Sequence, residues 1–385
     1  MSKQLEKPFE FLTKKDGSVF SSETYKNWYM AHAYVLDKLK DTAFVPNSDE
    51  YLHVVVTDVD DEKSSPLMLS VARQVALTAH YINYEEENLD EKKRKRSVIT
   101  LVSSKSKEIV VELKKDEYLC NLMDYCKYSY GSTAINKDSF IDIEIEIVGE
   151  EPQENKENKN EFFFRKNEVV SFCNSKFEDE IYSIDTRKAV LASRMYDLGA
   201  EIDNLPYEDI HSTERYAVAI DVFQFVKMDE KMRLLMDESR WKKHERQTKV
   251  LECLSNLFCS DCFEPRAKAV RLYSEQEKIS ESEAWKRLNF LLSKSEHERW
   301  VVEKLILGYK PVDDMQRLEY ESQFGNSRKQ YVKKLKWLSE SKELSHIDLC
   351  SFSNLRRIDP NNMKYDSFLV LGIPEILKRI NDDDN

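Results

Sequence analysis

The chain has 385 residues, 41% of them hydrophobic and 34% charged, with a formal net charge of -12. That length exceeds one ordinary domain, and that share of apolar side chain excludes an intrinsically disordered protein. The acidic balance excludes the broad basic surface that duplex nucleic acid requires, while a local basic pocket for a small phosphorylated ligand stays compatible with it.

No stretch approaches the roughly 18 to 20 consecutive apolar residues that cross a bilayer. The first residues, MSKQLEKPFEF, lack an apolar signal core. The expectation is a cytoplasmic protein with no membrane partner. The seven cysteines are odd in number and scattered, unlike a secreted disulfide framework. Cys259 and Cys262 form a CxxC, but structural zinc needs two more ligands and only Cys253 and His244 lie near, so no metal ligand is assigned.

Along the chain, Tyr25, Trp28, His32, Val35, Leu36 and Leu39 recur at helical spacing within residues 22–40. "YLHVVVTDVD" (Tyr51 to Asp60) is a β-branched strand ending in acids. A helix follows, with Ser65 as cap and Pro66 at its first position. The basic run Lys92 to Arg96 leads into a second strand, Ser97 to Ser104, at the distance a right-handed parallel crossover needs. "FIDIEIEIV" (Phe140 to Val148) alternates apolar and acidic residues, which predicts one solvated face and so an edge or antiparallel position. "EEPQENKENKNE" (Glu150 to Glu161) reads as a hairpin loop or an insertion before the strand Phe162 to Arg165. Strand Ile181 to Ile184, a cap at Asp185 or Thr186 and a helix closed at Gly199 complete the first half.

From Tyr207 helical patterns take over, at Tyr216 to Val226, Lys249 to Phe258 and Ala267 to Tyr273, and Ser280 and Glu283 stand in capping-box spacing. The pattern gives an α/β N-terminal domain, Rossmann-like, mostly parallel with an antiparallel edge, then a mainly helical C-terminal region. Its parts are a helical extension over 1–48, the α/β domain over 49–205, a helical connection over 206–278 and a last unit over 279–385.

None of the seven glycines lies between the Leu52 strand and the Pro66 helix, so neither a dinucleotide fingerprint nor a phosphate loop is present there. Asp58, Asp60 and Asp61 cluster at the carboxyl end of that strand, where open α/β sheets hold ligands; loop and cap chemistry explains them as well.

"SKSEHERWVVEKLILGYKP" (Ser293 to Pro311) poses a different question. Trp285, Leu288 and Leu292 define a buried stripe whose continuation runs through Ser295, Glu296 and Arg299. Either the helix breaks near Ser293, or those polar groups are paired inside, with Arg356 or Arg357 as partners for Glu296 or Glu303. His297, Trp300, Val301, Lys304 and Gly308 share one face. That face is either core packing with a hydrogen-bonded imidazole at its rim, or a site where an indole stacks a base and an ammonium meets phosphate.

"EHERW", "EKLILGY", "HIDLCSFSNL" and "MKYD" together resemble the RyR domain, repeated in ryanodine receptors and found alone or beside Rossmann-like domains in bacteria. The resemblance covers about Ala284 to Ile380 and places His297, Trp300, Lys304, Gly308 and Tyr309 in the first half of the pattern. His346, Leu349, Phe352 and Leu355 fall in the second. Two departures are the long insert Pro311 to Ser345 with its basic helix Arg328 to Lys336, and Ile347 where receptor repeats have proline. The resemblance implies ligand binding without catalysis, an adenine nucleotide being the candidate ligand, with His297, Trp300, Lys304, Tyr309, His346, Arg356 and Arg357 as site residues.

The expected function is therefore a non-enzymatic ligand sensor in signalling. A nucleotide-processing enzyme using Asp58, Asp60 or Asp185 at the strand ends is the alternative, and a protein adaptor the third class. An assembly of identical chains is compatible with all three.

Overall fold

Val54, Val55 and Val56 are all fully buried in the computed structural model of the protein, so their strand is covered on both faces, the condition of a parallel sheet. The structure describes residues 22–61, 63, 65–85, 94–105, 119–136, 139–154, 159–176, 187–189, 191–192, 250–312, 345–358 and 363–384. The expected strand Ile181 to Ile184, its cap, Gly199, the helix Tyr216 to Val226 and the basic helix Arg328 to Lys336 lie outside the described residues.

In chain order the elements are α1 (Ser22–Leu39), β1 (His53–Val56), α2 (Ser65–Thr78), β2 (Ser97–Val102), α3 (Cys120–Tyr125), β3 (Lys127–Tyr130), β4 (Thr133–Asn136), β5 (Ile143–Val148), β6 (Glu161–Phe164) and α4 (Lys166–Lys176). The second half holds α5 (Val250–Asp261), α6 (Phe263–Glu277), α7 (Glu281–Ile306), β7 (Lys310–Pro311), β8 (Ser345–His346), α8 (Phe352–Ile358) and α9 (Met363–Asp384). Six strands form one sheet in the order β4-β3-β5-β2-β1-β6, parallel except for the edge pair β3 and β4; β7 and β8 form a separate parallel pair. The α/β class with an antiparallel edge is as the sequence pattern predicts.

Two strand expectations are corrected. The alternating strand β5 is no edge: it pairs in parallel with β2 on one side and β3 on the other. Its acidic face is consumed sideways. Glu146 accepts a hydrogen bond from Thr100 at 3.1 Å, and Glu144 pairs with Lys127 at 2.9 Å. The row continues across β1, where His53 stands 2.8 Å from Thr100 and 2.9 Å from Glu161. Alternation thus marks a face of cross-strand polar pairs as readily as a solvated one. The acidic stretch before β6 is no hairpin loop either, because β5 and β6 lie at different places in the sheet with β2 and β1 between them.

The β3–β4 hairpin, which the strand pattern does not reveal, closes the other edge around Gly131 at φ +55, a left-handed conformation that glycine adopts without strain. On the apolar side Val54, Val56, Ile99, Leu101, Ile145 and Phe164 join α1 and α2 in one large hydrophobic cluster. A second cluster joins α6 and α9 to the start of α7 through Val270, Trp285, Leu288, Leu292, Val370 and Ile373. Helix α7 belongs to both.

Candidate functional site: the polar turns of α7 and the cavity beside them

Ser280 starts α7 as its cap, the side-chain oxygen accepting the Glu283 N–H at 3.2 Å, and the helix runs 26 residues to Ile306. Gly308, at φ +90, turns the chain away, its N–H donating to the Leu305 carbonyl at 3.1 Å. The first turns bury Trp285, Leu288 and Leu292 in one cluster, and the last bury Val301, Val302, Leu305 and Ile306 in the other. Between them the helix does not break. It passes through the molecule with neighbours on every side, so Ser293, Ser295, Glu296, His297, Glu298 and Arg299 are all buried.

The polar side chains there bond within α7 and reach α9, the loop after α2, α6 and α5. Ser293 donates to the Asn289 carbonyl at 2.6 Å and lies 3.2 Å from Ser367 of α9. Lys294 donates to the Tyr84 carbonyl and Ser295 to the His80 carbonyl, both at 3.0 Å, which ties α7 to the loop after α2. Glu296 receives Arg266 of α6 at 2.7 Å and the Arg299 Nε at 2.9 Å. Arg299 also donates to Glu303 at 2.7 Å, and Glu303 accepts Ser255 of α5 at 2.8 Å and Lys304 at 2.7 Å.

Burial alone would raise the Glu296 carboxyl; the Arg299 and Arg266 guanidiniums outweigh it and hold the group at about 2. The same contest, with Lys304 and Arg299 winning, keeps Glu303 below the usual carboxylate range. These carboxylates are paired inside, as one of the two sequence alternatives requires. The partners found are Arg266 and Arg299; the side chains of Arg356 and Arg357, on α8, lie outside the described residues.

Against this ionic floor lies a cavity of about 120 Å³ between α5, α7, α9 and the β8 segment. Its lining includes Asn256, Cys259, His297, Trp300, His346, Asp348, Tyr365 and Asp366. Trp300 is half-buried and forms one wall, with His346 edge-to-face at 5.2 Å between ring centroids and His297 roughly stacked at 5.9 Å. Lys304 stands over the same indole, 5.6 Å from its centroid, and 6.0 Å from that of Tyr309.

His297 is fully engaged: Nε2 lies 2.9 Å from the Cys350 carbonyl and Nδ1 3.6 Å from the Asp366 carboxylate. Burial works against its charge, yet Asp366 and the Cys350 carbonyl prevail and hold the imidazolium well above its ordinary pKa. His346 is the reverse: burial first, then the positive charges of Lys304 and His297, push it down to about 4. Its Nδ1 accepts the Asp348 backbone N–H at 3.2 Å.

Of the expected site residues, the structure thus brings together His297, Trp300 and His346 on the cavity wall and sets Lys304 and Tyr309 beside them. Asp366 and Tyr365, from the "MKYD" segment, are the additions, and their signal was present in that motif. Arg266 also had one, as the single cation on the apolar stripe Phe263, Ala267, Val270 of α6.

The strand ends are arranged differently. Asp60 accepts the hydroxyls of Ser103 and Ser104 and the backbone N–H groups of Ser104 and Lys105. Asp58, in the left-handed region at φ 60, accepts the Lys166 N–H at the start of α4 at 3.1 Å. Cys259 and Cys262 are buried thiols, the latter pushed up by burial to about 12. Among the described residues no group of three His, Cys, Asp or Glu side chains is placed to hold a metal ion, and no helix is long and apolar enough to cross a membrane. A larger groove of about 430 Å³ between α1 and the α5–α6 junction has charged groups paired with one another, Lys40 with Asp37, Lys188 with Glu264 and His32 with Asp261. Comparison of the chain with protein-family models, with curated proteins and with solved structures gives no match.

Proposed function

We propose that the protein is a non-enzymatic ligand sensor in which a RyR-like C-terminal unit, joined to a Rossmann-like sheet, binds a nucleotide or related small molecule, an adenine nucleotide foremost. The observation that carries this reading is the cavity beside Trp300, a half-buried indole that lines a hollow together with polar groups. A cavity of about 120 Å³ is close to the roughly 150 Å³ that holds one benzene ring. It therefore suits one ring of a ligand, with the remainder outside and any phosphate near Lys304. Stacking on the indole supplies roughly 1 to 3 kcal/mol.

The route of the signal is α7 itself. A ligand on Trp300 sits on the helix that carries Ser295 to the His80 carbonyl, and His80 is held in turn by Asp142, 2.9 Å away at the foot of β5. The test is a thermal-shift series with adenine nucleotides and their cyclic relatives. A bound nucleotide at about 100 times its Kd raises stability by roughly 2.7 kcal/mol, and Trp300→Ala removes that rise. Melting curves unmoved by every nucleotide end the proposal.

A further inference from the structure

The two cavity histidines are locked in opposite states by their neighbours. His297 faces an acceptor on each side, the Cys350 carbonyl 2.9 Å from Nε2 and the Asp366 carboxylate 3.6 Å from Nδ1, a setting that favours its charged form. His346 faces a donor at Nδ1, the Asp348 backbone N–H at 3.2 Å, while the Asp348 carboxylate lies farther from the same nitrogen, at 3.9 Å and beyond hydrogen-bond distance. That nitrogen must keep its lone pair, and the single ring hydrogen is left on Nε2. No partner for Nε2 occurs among the described residues, and the side chain is 30% exposed on the cavity wall.

We infer that His346 Nε2–H is the specificity-determining donor of the cavity, selecting a neutral heteroaromatic ring that offers an acceptor and rejecting cationic ligands. The inference rests on reading the cavity as a ring site. Aromatic walls with carboxylates nearby also suit quaternary ammonium groups. Here that occupant is opposed by Lys304, which already stands over the indole, and by the charged form that His297 favours on the same wall; of the lining carboxylates, Asp366 lies against His297, Glu296 is paired with Arg266 and Arg299, and Asp348 lies beside His346. The ionisable groups around His346 are Lys304 and His297 from α7, Tyr309, Asp348, and Tyr365 and Asp366 from α9. A second positive charge in that setting is disfavoured for the same reason that a proton on His346 is, since its pKa is pushed down to about 4.

Two measurements on the full chain decide it. Nitrogen NMR of the histidines shows His346 as the Nε2–H tautomer throughout roughly pH 5 to 8; an imidazolium or an Nδ1–H form in that range overturns the assignment whether or not a ligand is known. Titration then compares adenosine, its deaza analogues each lacking one ring acceptor, and choline. The wild type binds adenosine, loses about three- to tenfold with one deaza analogue, and does not bind choline. His346→Gln, whose amide can place an N–H near the Nε2 position, keeps adenosine affinity. His346→Asn, which is too short, loses about the same three- to tenfold. If no purine binds the wild type, this inference and the proposed function fall together. If adenosine binds equally well to His346→Asn, or choline competes with it, only the role of His346 falls.

Discussion

The carboxyl ends of β1 and β2 and the middle of α7 both concentrate charged and hydroxyl side chains, and they use them in opposite ways. At the strand ends Asp58 and Asp60 are satisfied by backbone N–H groups and serine hydroxyls of neighbouring loops, at the rim of the molecule. In α7, Glu296, Arg299 and Glu303 are at most 2% exposed and bind one another, Arg266, Ser255 and Lys304. The first arrangement closes loops. The second holds charge inside the molecule and leaves a hollow beside it.

Breaking each arrangement measures the difference. Arg299→Met leaves Glu296 with one cation and removes a hydrogen bond from Glu303; removing one partner of a buried pair costs about 3 to 5 kcal/mol. Denaturant unfolding should show that loss as a lowered midpoint. Asp60→Ala removes an exposed-edge clasp whose oxygens are all matched by local donors, and the loss should be about 1 to 3 kcal/mol by the same measurement. Equal losses for the two would erase the contrast.

A pH series sharpens it further. The folded-state pKa of His297 lies well above its ordinary 6.5, so the stability it contributes is fully present below pH 6.5 and is lost as pH rises through the folded value. His346, depressed to about 4 from 6.5, acts in the other sense, with its contribution present above pH 6.5 and lost as pH falls toward 4. The wild type should therefore weaken on the alkaline side of neutrality, and His297→Gln should flatten that limb while keeping the acid one. An alkaline limb unchanged in the variant would show that His297 is not the imidazolium described.

Much of this was legible in the sequence where signals are local. The valine run of β1, the Ser280 cap, the Gly308 turn and the shared face of His297, Trp300 and Lys304 follow from propensity and spacing. The course of β5 was not, because alternation records that one face is polar and is silent on whether water or Thr100 and Lys127 satisfy it. The short β3–β4 hairpin, four residues a side, carries too little pattern to announce itself. The cavity needed α5, α8 and α9 brought against α7, so Asn256 had no reason to be named from spacing alone. Arg266 stands 30 residues from Glu296, a separation at which only the folded chain says who meets whom.

The membership of α7 in both hydrophobic clusters bears on how far the last quarter of the chain could be transplanted. A fragment cut at residue 279 would keep the Trp300 wall but lose Arg266 from beneath Glu296 and Ser255 from beside Glu303. It would also bare the Val301, Val302, Leu305 and Ile306 stripe that now lies against the sheet side. Portability of the Trp300 wall to another scaffold therefore requires carrying α5 and α6 along and supplying a new apolar surface for the helix's final two turns.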